Sequence, residues 1–179
     1  MRKIGTALVL ALLLLFTTSC TTEEKYDNSL SASTYENIIN IGLEDLGISE
    51  NELLHIEEID DEKIVFFTKD DGIGTAIVGL KAEVWYWKRT GALAGFETDS
   101  NISYTEAGSI IKTFNGKEYV VFVGEIYNDE VDKMTIYDDT YEVEIREYFD
   151  HTYWFIVLDD FEFYKDVKLY NLESEIINN

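Results

Sequence analysis

Hydrophobic positions follow three successive patterns along this chain. The first is a run of thirteen uncharged residues, Ile4 to Phe16, mostly Leu, Ala and Val, behind Arg2 and Lys3. The second has helical spacing: Tyr35, Ile38, Ile39, Gly42, Leu43 and Leu46 share one face. Ser33 and Glu36 are spaced as a capping box that starts this helix, and Gly47 stands where a left-handed residue ends it. From Leu54 onward the period shortens to that of strands. Leu54 and Ile56 precede the acidic turn Asp60-Asp61-Glu62, and the compact run Ile64-Val65-Phe66-Phe67 follows it, which predicts a hairpin. Asp70-Asp71-Gly72 turns the chain into Thr75 to Leu80. Val84 to Lys88 comes next, with Trp85 and Trp87 on one face, and Thr90-Gly91 leads to a short strand over Ala92 to Glu97.

Residues Thr98 to Ala107 are the least patterned and are expected to form the main internal connection. Beyond them Asn115-Gly116 separates Ile110-Ile111 from Tyr119 to Val123, the strongest hairpin signal in the chain and one that predicts a type I′ turn. Asn128-Asp129 and Asp138-Asp139 then divide strands at Val131 to Tyr137 and Tyr141 to Tyr148, with Tyr153 to Leu158 and Val167 to Tyr170 completing the set. Turns every eight to twelve residues indicate meandering antiparallel sheet, sandwich-like or a partly closed barrel. The expectation is an α+β domain with its N-terminal helix packed on that sheet. No proline occurs, so strand ends depend on Gly, Asn and Asp alone.

The first run reads as the core of a signal peptide, since crossing a bilayer takes about 20 apolar residues. Thr17-Thr18-Ser19-Cys20 follows it, small residues leading into the only cysteine, as in a lipobox, although Thr17 stands where Leu is usual. A diacylglyceryl group on Cys20 would supply the two chains that stable anchoring takes. The expected layout is a signal peptide over 1–19, a lipidated cysteine and polar tether over 20–33, and a single β-rich extracellular domain over 34–179. The location expected is the outer face of the cytoplasmic membrane of a Gram-positive cell. With no second cysteine, the domain is held by its core rather than by disulfides.

Charge narrows the partners. Removing residues 1–19 leaves 12 Lys+Arg against 36 Asp+Glu, near −24. That excludes nucleic acid, whose binding depends on phosphate neutralisation by Lys and Arg. Two uses of the charge remain, steering of a cationic peptide or protein and plain solubility, and solubility is the simpler. Val121-Phe122-Val123-Gly124-Glu125-Ile126, Val131-Asp132-Lys133-Met134-Thr135-Ile136, Tyr153-Trp154-Phe155 and Val167-Lys168-Leu169-Tyr170 come in an order that resembles small lipoproteins and secreted proteins of Gram-positive bacteria. The resemblance implies a β-rich fold and a surface location, and brings no activity.

Candidate chemistry is sparse. No GxSxG elbow is present, and His55 and His151 are the only histidines, too far apart for a zinc spacing. Gly72-Ile73-Gly74 lacks the lysine of a phosphate cradle. Calcium would find oxygen ligands at the acidic turns Asp70, Asp71, Asp138, Asp139, Asp159 and Asp160, although none matches an EF-hand and such turns are ordinarily solvated. Trp85, Trp87 and Trp154 are candidates for stacking a sugar ring, with core packing as their commoner use. The sequence therefore points to a non-catalytic accessory or ligand-binding lipoprotein without a cofactor. The alternatives are a cell-envelope hydrolase and an immunity-type protein that sequesters cationic peptides.

Overall fold

A computed structural model describes residues 30–70, 72–91, 93–95, 102–137, 139–159 and 166–177. Cys20, the apolar run before it, Asp71, Asp138 and Asp160 lie outside the described residues. Among those described are one helix, α1 (Tyr35–Asp45), and fourteen strands in three antiparallel sheets. The first sheet has the order β1 (Ser31–Ala32), β5 (Val84–Arg89), β4 (Gly72–Lys81), β3 (Glu62–Lys69), β2 (Leu53–Ile59), with β6 (Ala94–Gly95) also on β4. The second runs β11 (Glu144–Tyr148), β12 (His151–Leu158), β8 (Glu118–Ile126), β7 (Ala107–Lys112). The third runs β10 (Tyr141–Glu142), β9 (Lys133–Ile136), β13 (Val167–Tyr170), β14 (Ile176–Ile177). The expected α+β class is thereby corrected: a single eleven-residue helix beside three sheets makes the fold mainly β, with no closed barrel among the described residues.

The unbroken apolar runs have a structural cause. Along a strand successive side chains point to opposite faces, so a run without alternation requires cover on both. Ile64 and Phe66 of β3 join Val121 and Val123 of β8 in one buried cluster between the first and second sheets. Val65 and Phe67 point the other way, to Ile38, Ile39 and Leu43 of α1. Val120 and Phe122 of β8 likewise turn to Met134, Ile136 and Leu169 of the third sheet. At Gly42 the helix comes so near β5 that a Cβ would lie 2.2 Å from the Trp87 ring.

Two local expectations shift. The helix is capped by Thr34, not Ser33: Thr34 is extended, and its hydroxyl accepts from the Asn37 amide at 3.3 Å. Gly47 is left-handed, φ 68°, as the sequence predicts. At the Asn115-Gly116 hairpin only Gly116 has positive φ, 83°, so the turn is not type I′. Gly116 N donates to Thr113 O at 3.1 Å and Thr113 N to Lys117 O at 3.0 Å. That is a three-residue loop, a tight turn followed by a left-handed glycine. It leaves the amides of Phe114 and Asn115 outside the ladder, and they need an acceptor from elsewhere.

Candidate functional site

The acceptor for those amides is Glu62. Its side chain, on a residue only 3% exposed, takes the Phe114 amide on Oε2 and the Asn115 amide on Oε1, each at 2.8 Å. Beside it Asp60 accepts from the Tyr119 hydroxyl at 2.7 Å and from Lys117 Nζ at 3.2 Å. The Tyr119 hydroxyl bond and then Lys117 hold the Asp60 carboxyl below its ordinary value. Thus the acidic turn of the first sheet grips the hairpin of the second, and Tyr86 and Phe114, 6.3 Å apart, fill the space behind. This end of the inter-sheet space is closed.

Toward the other end of β4 the side chains become small. Ala94, Ala107 and Ser109 stand where Phe66, Phe155 and Tyr119 fill other parts of the same interface. The result is a cavity of about 280 Å³ with Ile73, Leu93, Val121 and Val123 for walls. Its polar features are the Ser109 hydroxyl and a pair of hydroxyls on the facing sheet. Thr75 Oγ1 lies 2.5 Å from Thr90 Oγ1, and Thr90 Oγ1 donates to Thr75 O at 3.0 Å. With the Thr90 proton on the carbonyl, Thr75 is the donor between the two hydroxyls, and both protons are used. What the pair presents to the slot is oxygen lone pairs. The threonine pair therefore suits an apolar group that carries an N–H or O–H donor, which the Ser109 hydroxyl can also accept.

The residues singled out by sequence lie elsewhere. Trp154 is fully buried against the third sheet, with its Nε1 donating to Thr105 O at 3.0 Å. Trp87 is 4% exposed beneath α1, and Trp85 is half-buried with Tyr35 at 5.5 Å. Asp70 and Asp159 are exposed. Asp139 is held by three donors, Thr135 Oγ1 at 2.7 Å, Lys168 Nζ at 2.6 Å and Tyr170 Oη at 2.5 Å. Lys168 foremost, then Tyr170 and Thr135, keep its carboxyl far below the usual range. Among the described residues no three His, Cys, Asp or Glu side chains gather as a metal site.

Sequence reasoning passed over three other features. Buried Glu125 meets His151 Nδ1 at 2.5 Å, and that ring stacks on Tyr153 at 5.7 Å. His55 instead stacks on Phe155 at 5.1 Å. A second, polar cavity of about 340 Å³ has Asp129, Asp132 and Glu147 in its wall. The one sequence signal for the slot is the small triplet Ala107-Gly108-Ser109, and nothing in composition marks Thr75, Thr90 or Glu62. Comparisons of the chain with protein-family models, with curated proteins and with solved structures found no match, and the reading of this site rests on its own residues.

Proposed function

We propose that this chain is a non-catalytic ligand-binding module, tethered through lipid on Cys20 to the outer face of a Gram-positive cytoplasmic membrane. Its ligand places an apolar group with a donor at its head in the slot between the first and second sheets. The observation that carries the reading is the slot itself, apolar walls beside a hydroxyl pair whose protons are already used. The net charge of −22 favours a cationic donor over a neutral one. The anchor rests on the Arg2 to Cys20 sequence and is tested by fractionation, where Cys20→Ala should move the protein from membrane to medium.

The slot is tested by methyl NMR of the full-length protein titrated with hexylammonium and, separately, with hexanoate. Hexylammonium should move the Ile73, Val121 and Val123 methyls and leave Met134 and Leu169 in place, while hexanoate moves neither set. Slot methyls that ignore hexylammonium, or follow both ions equally, would contradict the reading. An envelope hydrolase has a single observation behind it, the Glu125–His151 pair. Loss of a wall-cleaving activity in His151→Gln would favour that alternative.

A further inference from the structure

The three sheets present seven outer edges among the described residues, and six of them are protected against pairing with another chain. β1, β6, β10 and β14 are two residues long. β2 carries a register irregularity between Leu53 and His55 and the adjacent acids Glu57 and Glu58. β11 has three charged residues in five, Glu144, Arg146 and Glu147. Shortness, bulges and charge are the usual devices that keep a free edge from recruiting a strand. β7 has none of them. It is six residues long, Ala107-Gly108-Ser109-Ile110-Ile111-Lys112, pairs with β8 in unbroken register and carries one charge, at its end.

The register also says which of its amides face outward. Thr105 N donates to Glu125 O at 2.8 Å and Thr113 N to Lys117 O at 3.0 Å. Odd positions of this stretch therefore bond toward β8, and the N–H and C=O groups of Gly108, Ile110 and Lys112 point away from it. Among the described residues β7 ends its sheet. Ile110 is 57% exposed. Ala107 and Ser109, on the same strand, line the slot, so a chain laid along β7 would run beside the slot's mouth.

We infer that β7 is a strand-addition site, and that its partner is an extended, basic segment of another polypeptide with apolar residues at alternate positions. Backbone bonds to Gly108, Ile110 and Lys112 supply affinity, and an apolar side chain of the added strand enters the slot. A second copy of this chain is the poorer occupant, because two bodies of −22 repel each other, whereas a basic segment is drawn in. The inference extends the slot reading above but stands on the edge geometry, and the two fail separately.

The test uses the full-length protein and an acetylated nine-residue peptide that alternates lysine and valine. Three controls accompany it: a glutamate–valine peptide, a lysine–valine peptide N-methylated at alternate amides, and gel filtration of the protein alone. The basic peptide should shift the amides of Gly108, Ile110 and Lys112, and the N-methylated and acidic peptides should not. Ile110→Lys should weaken binding by about tenfold or more through like-charge contact. Ile110→Pro removes an outward amide without changing charge and should weaken it similarly, with Ile110→Lys as the safer variant if proline disturbs the strand. Amide shifts with unmoved Val121 and Val123 methyls would support strand addition and refute the slot's part in it. Equal binding of the N-methylated peptide, unshifted β7 amides, or a β7-dependent dimer of the protein alone would overturn the proposal.

Discussion

At one end of the space between the first and second sheets, Glu62 and Asp60 fasten two turns together; at the other, Ala94, Ala107 and Ser109 leave room. Both ends are bounded by β4 and β8, and both contain polar groups. The difference lies in where those groups bond. Glu62 binds amides of the opposite sheet, whereas Thr75 and Thr90 bond within their own sheet and reach nothing across the gap. A polar group that crosses the interface fixes the sheets, and one that bonds on its own side leaves a lined cavity. Stability and binding should accordingly separate along β4.

The sharpest way to break that contrast is at Glu62. Glu62→Leu leaves the Phe114 and Asn115 amides without their acceptor and should cost about 2–4 kcal/mol in urea unfolding. A loss below about 1 kcal/mol would mean that water replaces the carboxylate and the end is not fastened. Tyr119→Phe removes a single bond to Asp60 and should cost about 1 kcal/mol.

A pH series sharpens the same end. Asp60 titrates below its ordinary value of 3.8 in the folded protein. Its stabilisation is therefore complete above roughly pH 4 and is lost as pH falls from there through the folded value. Asp60→Asn should flatten that part of the acid limb of the stability curve, and an unchanged limb would remove Asp60 from the clamp. At the slot the effect on folding should be smallest. Ser109→Val should change stability by less than about 0.5 kcal/mol, as at other partly exposed sites, while abolishing the hexylammonium shifts.

Much of the framework was legible and the contrast was not. Ile64 to Phe67 and Tyr119 to Val123 announced strands, and they lie in β3 and β8. What the runs could not convey was how many layers cover them, because one unbroken run is compatible with helix or sheet on either side. The acidic turns show the limit more plainly. Asp60-Asp61-Glu62 and Asp70-Asp71 look alike in sequence, yet Glu62 is buried and Asp70 exposed. The distinction is made by amides 52 and 53 residues away, beyond any local pattern. Turn chemistry misled in the same way. The turn with positive φ at both centre residues is Ala82-Glu83, which carries neither Asn nor Gly, while Asn115-Gly116 adopts the longer loop whose spare amides Glu62 takes.

Backbone hydrogen exchange of the full-length protein, read amide by amide without ligand, tests the contrast most directly. The amides of Phe114 and Asn115, held by a buried carboxylate, should exchange slowly, and those of Gly108, Ile110 and Lys112 should exchange roughly a thousandfold faster, near the rate of open chain. Equal protection of the two sets, or protection of the β7 amides above the hairpin pair, would contradict a fastened end and an unpaired edge in the same interface.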